Sequence, residues 1–338
     1  MLKNRYDDIG PLLADGATGT NFFDLGLGAG DPPELWNIDQ PDKVTTLHSG
    51  FVGAGSDIIL TNSFGGTRHR LKLHKADDRV HELNAKAAEI ALAVAATVDR
   101  QIIVAGSVGP TGELIVPLGE LTYDDAVEAF TEQMTGLRDG GVDLVWIETM
   151  SSAEEIQAAV AAAQTIGIDY AVTASFDTAG HTMMGLSPAA FADQAMAYDP
   201  KPAAFGANCG VGAADLLVAV LAMTEQHPDA MIVAKANCGI PQAVGGEIKY
   251  TGTPDLMANY AQIAVDAGAK IIGGCCGTTA EHLRSMRDAL DGHQKNSRPD
   301  VAMIVESLGP MVSAAAADRN SDAADAAAQR RSRRRRRT

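Results

Sequence analysis

Short apolar runs alternate with longer amphipathic stretches along most of the chain. Eight apolar runs end in small or polar residues, at 11–19, 57–65, 102–109, 144–149, 170–176, 203–209, 231–238 and 270–276. Stretches with helical periodicity follow, at about 40–54, 78–98, 123–139, 152–165, 188–198, 213–226, 254–267 and 279–290. Apolar strands that alternate with helices indicate a parallel sheet that is buried on both faces.

Helix start signals and the number of units narrow the fold class. Ser152 precedes Glu155 by three residues and Thr253 precedes Pro254, and both patterns favour a helix N-terminus. Eight strand–helix units predict a closed (β/α)8 TIM barrel of the α/β class, with a doubly wound open sheet as the alternative. The first strand is not followed by Gly-x-Gly-x-x-Gly, which disfavours a dinucleotide-binding domain.

The repeat pattern and the composition give the domain organisation. Residues 1–291 form the predicted barrel, 292–313 a linker with a short packing segment, and 314–338 a disordered tail rich in Ala and Arg. The N-terminus lacks the apolar core of a secretory signal, and no apolar run reaches the ~20 residues of a membrane span. Four cysteines in an unexported chain indicate metal binding or catalysis rather than disulfides. We therefore expect a cytoplasmic protein.

The charge distribution is uneven. The net charge is −16, although seven of the last nine residues are arginines, so the rest of the chain carries about −23. An acidic body argues against nucleic acid as the main partner. The arginine run is read first as a solvated tail, with binding to RNA, anionic lipid or an acidic protein surface left open. Small-molecule partners are expected, with the oligomeric state left open.

Polar residues recur where the predicted strands end. They are Asp15, Asn62, Ser107, Glu148, Ser175, Cys209, Asn237 and the pair Cys275-Cys276. The carboxyl ends of the strands form the active-site face of a TIM barrel, so these side chains are expected to meet there. Core packing does not explain polar residues at so many strand ends.

The cysteines carry the strongest chemical signal. Cys275 and Cys276 follow a Gly-Gly pair at the end of the eighth strand, and Cys209 ends the sixth. Neighbouring strand residues point to opposite faces, so the glycines must bend the chain for both thiols to converge. Three thiolates and one open position are typical of a catalytic zinc site, since structural sites usually close with four ligands. Cys238, which ends the seventh strand, is read as a buried core thiol, a replacement for one of the three or a residue that supports the site.

Such a site favours one kind of chemistry. Three thiolates donate much charge to zinc, which makes it a poor generator of hydroxide but a good acceptor for a fourth sulfur. A substrate thiol that enters the open position loses its proton at neutral pH, because metals depress thiol pKa values. The resulting thiolate can accept an alkyl group without a general base. A zinc-storage or thiol redox-sensing protein that uses the same cysteines is the alternative of another class.

Several motifs resemble the homocysteine S-methyltransferases, a family that includes betaine–homocysteine methyltransferase and the homocysteine module of cobalamin-dependent methionine synthase. The resemblance covers roughly residues 10–290 and rests on the segments 206–209 and 273–279, with support from 15–20, 61–65, 106–112 and 147–149. It implies a zinc-dependent (β/α)8 barrel that methylates L-homocysteine to methionine.

The resemblance also implies roles for individual residues. Cys209, Cys275 and Cys276 match the zinc ligands of the family. Asp15 and Glu148 match acidic residues that receive the ammonium group of homocysteine. The backbone amides around Gly16 to Thr18 would meet its carboxylate, since glycine-rich turns expose N–H groups to an anion. Asn62, Asn237 and Cys238 are expected to support the site from behind.

The methyl donor is the least determined element. A quaternary ammonium or sulfonium donor needs aromatic faces for cation–π contact. Trp36, in the loop after the first strand, is the leading candidate, and Phe64 is a weaker one. Gly65 and Thr149 stand where the mammalian betaine enzyme has tyrosines, which argues against a pocket of the mammalian kind. We favour betaine, with a corrinoid protein, S-methylmethionine or dimethylsulfoniopropionate as alternatives.

Overall fold

Parallel strands form the sheet at the centre of the molecule. The structure is a computed structural model and describes residues 1–244 and 247–313. The sheet strands are β1 (Leu12–Leu13), β2 (Ile58–Leu60), β3 (Ile103–Val108), β4 (Leu144–Met150), β5 (Tyr170–Ala174), β6 (Ala204–Cys209), β7 (Ile232–Ala236) and β10 (Ile271–Gly274). The remaining two, β8 (Pro241–Val244) and β9 (Glu247–Tyr250), pair as an antiparallel hairpin between β7 and β10.

The parallel strands close into a ring. Their order is β1-β10-β7-β6-β5-β4-β3-β2, and every paired neighbour runs parallel. An isolated parallel bridge between Ala14 and Ile58 joins the two ends of this order. The predicted (β/α)8 TIM barrel is therefore confirmed, and the open doubly wound sheet is excluded.

Helices surround the ring. They are α1 (Leu2–Ile9), α2 (Gly19–Asp24), α3 (Trp36–Asp39), α4 (Pro41–Gly53), α5 (Arg68–Lys72), α6 (Val80–Ala95), α7 (Tyr123–Asp139), α8 (Ala153–Ile166), α9 (Pro188–Ala197), α10 (Ala213–Gln226), α11 (Pro254–Asp266), α12 (Ala280–Asp291) and α13 (Val301–Leu308), with 3₁₀ turns at Pro33–Leu35 and Asp77–Arg79. All eight predicted helices are present. Ser152 caps α8 by accepting a hydrogen bond from the Glu155 amide, and Thr253 caps α11 in the same way from Leu256.

Apolar side chains fill the inside of the barrel as a separate cluster. Leu12, Ile58, Ile103, Leu144, Trp146, Ala204, Val233 and Ile271 belong to it, and each is buried. Alternate residues of a strand share a face, so residues two or four positions further along these strands also point inward. On this basis Ser107, Glu148 and Lys235 form the next interior layer toward the carboxyl ends. Apolar packing in the lower barrel thus gives way to charge at the top.

The chain after α12 returns to the barrel surface. Helix α13 packs against α10 and α11. Beyond it, the backbone amides of Val312 and Ser313 donate to the Asp215 carboxylate of α10, at 2.9 and 3.0 Å. The predicted tail at 314–338 lies outside the described residues. Among the described helices, none combines the length and the apolar character needed to cross a bilayer.

Candidate active site

A cavity of about 340 Å³ opens at the carboxyl ends of the barrel strands. It is lined by Asp15, Gly16, Ala17, Thr18, Gly19, Thr20, Phe23, Pro33, Leu60, Thr61, Asn62, Ser63, Phe64, Ser107, Glu148, Thr149, Cys209, Lys235, Gly274, Cys275 and Cys276. Residues from almost every barrel strand or the loop that follows it thus meet in one space, as expected for this face of the fold.

Three thiols converge on one side of this cavity. The sulfur atoms of Cys209, Cys275 and Cys276 all lie within 4.8 Å of one another, and each side chain is partly exposed. Cys209 has φ of 62°, a left-handed conformation that is uncommon for a non-glycine residue. Gly277 also has positive φ, at 79°, and a Cβ there would lie 2.4 Å from the Cβ of Tyr250. The backbone is therefore bent sharply at both cysteine-bearing loops, which brings the sulfurs together.

Asn237 connects the two cysteine-bearing loops. Its Nδ2 donates to the carbonyl of Gly210 at 2.6 Å, and its Oδ1 accepts from the backbone amide of Cys276 at 3.0 Å. The Cys238 thiol instead donates to the carbonyl of Gly252 at 3.3 Å and is buried away from the three sulfurs. Among the described residues, the group of three thiols that could hold a metal ion does not include Cys238.

The protonation of these thiols depends on a cation. Contact with Cys275, together with burial, raises the pKa of the Cys209 thiol. Contact with Cys209, together with burial, raises the pKa of Cys276 to about 11. Thiols of this kind keep their protons at neutral pH unless a cation replaces them. Three soft sulfurs that converge at an accessible point are the ligand type that zinc prefers, so the residues present fit a zinc ion.

Charged side chains form the floor of the cavity, below the thiols. Lys235 Nζ donates to Asp15 Oδ1 at 2.6 Å, and the Leu60 amide donates to Asp15 Oδ2 at 2.7 Å. Ser107 Oγ donates to Glu148 Oε1 at 2.5 Å. Burial lowers the pKa of the Lys235 ammonium, but the carboxylates of Asp15 and Glu148 outweigh this effect and raise that pKa above its usual value. Lys235 is therefore a buried cation between two acidic groups.

The turn after β1 forms another wall of the cavity. A Cβ on Gly16 would lie 2.6 Å from the carbonyl oxygen of Thr278, so only glycine fits this close approach. The Ala17 amide donates to the same carbonyl at 3.1 Å, which ties this turn to the loop that carries Cys276. Thr18 and the first residues of α2 also line the cavity.

The aromatic residues considered for the donor pocket differ in whether they line the cavity. Phe64 lines the cavity, and Gly109 leaves room for its ring, because a Cβ at Gly109 would lie 2.6 Å from that ring. Trp36 packs against Phe22, with ring centroids 5.0 Å apart, and does not line the cavity formed by the described residues. Phe23, 52% exposed, stands at its edge.

Asn62 lies at the cavity wall but turns away from the cysteines. Its Nδ2 donates to the Pro33 carbonyl at 2.7 Å and to Asn37 Oδ1 at 2.9 Å. The side chain therefore holds the loop after β1 against β2. Asn62 therefore differs from Asn237, which contacts both cysteine-bearing loops.

Three residues near the site are not predicted from the sequence. Lys235 lies in an apolar run. Only its strand position, two residues after the inward-facing Val233, indicates that it points into the barrel. Asn208 holds Thr149, which has φ of 61°, by accepting from its amide at 2.8 Å, and so fixes the chain next to Glu148. Burial raises the pKa of the Tyr250 hydroxyl, and the neighbouring Cys276 thiol adds to this effect. The place of Tyr250 beside the sulfurs depends on the hairpin, which had not been predicted.

The fold and the site together define a (β/α)8 barrel enzyme with a sulfur-rich, metal-compatible centre at its catalytic face. The sequence model of the family described as homocysteine S-methyltransferase matches residues 12–290, which includes all the barrel strands and the three thiols. The chain therefore belongs to the homocysteine S-methyltransferase family and is a methyltransferase.

Individual relatives agree with this membership. The chain is 29% identical over 297 residues to the methionine synthase of Mycobacterium leprae (strain TN), a match that covers 82% of this chain and 24% of that protein. It is also 29% identical over 305 residues to the methionine synthase of Mycobacterium tuberculosis (strain ATCC 25618 / H37Rv), covering 85% and 25%. The chain thus spans about a quarter of the length of these curated relatives.

A solved structure shows the same fold. The homocysteine methyltransferase MmuM from Escherichia coli, in its metallated form, superposes with a TM-score of 0.72 at 22% identity. The match covers 85% of this chain and 99% of that one. At this identity the likeness supports the barrel architecture and carries no further detail of the site.

Proposed function

We propose that this enzyme transfers a methyl group from a small cationic donor to the sulfur of L-homocysteine and so forms methionine, with zinc as its cofactor. The observation that carries the proposal is the placement of three convergent thiols above an acidic floor in one cavity. Family membership supplies the reaction class, and the cavity supplies sites for the two ends of an amino-acid thiol.

Each part of the cavity has a task in this proposal. Cys209, Cys275 and Cys276 would hold zinc, which when bound supplies a Lewis acid that keeps a substrate sulfur deprotonated. The acidic floor would receive the substrate ammonium through Glu148, since Lys235 donates to Asp15. Backbone N–H groups of the turn Gly16–Thr20 would face the substrate carboxylate.

The apolar wall of the cavity is the proposed donor side. Phe64 and Phe23 are the aromatic residues there, and an aromatic face attracts a quaternary ammonium or sulfonium group. Trp36 is not part of this proposal because its ring packs against Phe22. We favour betaine as the donor.

All four cysteines are free thiols, which is in keeping with the reducing cytoplasm as the compartment.

The test offers the zinc-loaded protein and L-homocysteine to several donors in parallel. Betaine, dimethylsulfoniopropionate, S-methylmethionine and methylcobalamin are supplied separately, and methionine is measured by mass spectrometry. If methionine forms fastest with betaine, the full proposal is supported. If another small donor is preferred, only the choice of betaine as the donor is wrong. Tight zinc binding without methionine from any donor would contradict the proposal and favour a storage or redox role. The Cys209→Ala protein is the matched control and should form none.

A further inference from the structure

The floor of the cavity already contains an ammonium group that belongs to the protein. Lys235 extends from β7 toward β1, and its Nζ lies 2.6 Å from Asp15 Oδ1. The side chains of the two residues are 3% and 1% exposed, so this ion pair is shielded from bulk water. Because it also lines the cavity, it borders the space in which a substrate would bind.

The two carboxylates of the floor are not equivalent. Both oxygens of Asp15 accept a hydrogen bond from the protein, one from Lys235 and the other from the Leu60 amide. Glu148 accepts from Ser107 through Oε1 and is 9% exposed, compared with 1% for Asp15. A substrate ammonium therefore finds Asp15 occupied by a cation and meets Glu148 as the more accessible acceptor.

We propose that Lys235 is a positioning residue that neutralises Asp15 and leaves Glu148 as the single carboxylate that binds the ammonium group of the substrate. The three floor residues carry a net charge of −1 when the lysine is protonated and both carboxyl groups are ionised. One substrate ammonium balances this charge. The inference rests on the proposed function, because it assumes that an amino-acid thiol binds in this cavity.

The charge balance predicts an unusual pattern among substitutions. Lys235→Met removes the cation and leaves a floor charge of −2, or −1 where repulsion between the like charges causes one carboxyl group to bind a proton, so the floor still attracts the substrate ammonium. Asp15→Asn frees the lysine, which then competes with the substrate for Glu148. The double substitution removes both charges of the pair, retains an amide oxygen to accept from the Leu60 amide, and keeps Glu148 as the acceptor for the substrate ammonium.

The experiment measures binding of two thiols to four zinc-loaded proteins: the wild type, the two single variants and the double variant. The thiols are L-homocysteine and 4-sulfanylbutanoate, which lacks only the amino group. Isothermal titration calorimetry gives both dissociation constants. In the wild type, L-homocysteine should bind more tightly. We expect Asp15→Asn to reduce this preference at least about tenfold, Lys235→Met to keep or increase it, and the double substitution to restore it to within about threefold.

A direct contact between Asp15 and the substrate makes the opposite prediction. In that case the double variant would be as impaired as the Asp15→Asn protein, and the inference would be overturned. An Asp15→Asn protein that keeps the full preference for L-homocysteine would overturn it as well. Lys235→Arg, which retains the cation, should preserve most of the preference.

Two measurements separate this inference from other causes. Zinc content and the midpoint of thermal unfolding show whether a variant has lost its metal or its fold, and a lost fold would lower binding of both thiols alike. A wild-type protein that binds L-homocysteine no better than 4-sulfanylbutanoate would contradict the inference itself. Absence of methionine from every donor, despite selective binding of L-homocysteine, would contradict only the proposed function.

Discussion

The side chain of Asn237 accepts a hydrogen bond from the backbone amide of Cys276 at 3.0 Å, and its other end donates to the carbonyl of Gly210 at 2.6 Å. One amide group thereby fixes the distance between the loop that follows Cys209 and the loop that carries the cysteine pair. Substituting a residue that orients metal ligands in this way commonly lowers metal affinity by 10- to 100-fold.

We therefore expect Asn237→Ala to lower zinc affinity by about 10- to 100-fold, because both cysteine loops lose their common anchor. Competition with a chromophoric chelator measures this change. Asn62→Ala is the matched control, since the Asn62 amide contacts Pro33 and Asn37 rather than the cysteine loops. Equal zinc affinity in the wild type and Asn237→Ala would contradict the assigned role.

The fourth cysteine should be dispensable for metal binding. Cys238 is buried and donates to the Gly252 carbonyl, outside the cluster of three sulfurs. We expect Cys238→Ala to keep one zinc per chain and to lose about 1 kcal/mol of unfolding free energy, the usual size of a lost buried contact. Cys209→Ala should lose the zinc. Metal analysis and urea unfolding measure both effects, and a metal-free Cys238→Ala protein would refute the prediction.

Two glycines of one turn should respond differently to alanine. A Cβ on Gly16 would meet the Thr278 carbonyl at 2.6 Å, whereas a Cβ on Gly19 has no neighbour within 4 Å. We expect Gly16→Ala to cost about 1–3 kcal/mol, as overpacking usually does, and to weaken homocysteine binding. Gly19→Ala, at the start of α2, should be neutral or slightly stabilising. Urea unfolding and calorimetry would show otherwise if the two variants behaved alike.

Substitution of Phe64 should weaken binding of the methyl donor and leave homocysteine binding unchanged. Phe64→Leu keeps an apolar side chain in the cavity wall but removes the aromatic face. We expect the KM for a cationic donor to rise about 5- to 30-fold, equivalent to a cation–π contribution of ~1–2 kcal/mol. Trp36→Phe is the control, because Trp36 packs against Phe22. An unchanged donor KM in Phe64→Leu would remove Phe64 from the donor site.

A buried histidine should make the fold sensitive to acid. His48 in α4 is fully buried, both ring nitrogens lack a partner within the described residues, and burial lowers its pKa to about 4. The unfolded chain binds a proton near pH 6.5, so the free energy of unfolding decreases as the pH falls from about 6.5 to 4. The full effect is about 3 kcal/mol.

His48→Leu should remove this part of the pH dependence. Urea unfolding at several pH values between 4 and 7 measures the slope for both proteins. His181→Gln changes an exposed histidine and should leave the slope as in the wild type. Parallel slopes for the wild type and His48→Leu would contradict the prediction.

Much of the architecture could be predicted because apolar residues recur with a different period in strands and in helices. Even β1 and β2, with two and three residues, were recognisable as apolar runs that end in polar residues. The hairpin from Pro241 to Tyr250 had no such pattern, although Gly245 and Gly246 between its strands are a hairpin signal.

The parts of the site that were not predicted depend on tertiary contacts. The cysteine cluster was accessible because each thiol ends a strand, and strand ends meet at one face. Lys235 was missed because a lysine in an apolar run usually reaches solvent, and only its partner Asp15 explains its burial. Trp36 could not be placed from sequence, because its orientation depends on how the loop after β1 packs on Phe22.

The closure of the ring sets an order of events during synthesis. Strand β1 pairs with β10, near the far end of the barrel sequence, and touches β2 through one bridge. Asp15 follows β1, and its carbonyl accepts a hydrogen bond from Gly274 in β10. The hydrogen bonds that connect β1 to β10 therefore cannot form in a nascent chain until β10 has left the ribosome. The cysteine pair follows β10 directly, so the closed barrel and the cluster of three thiols are completed in the same step.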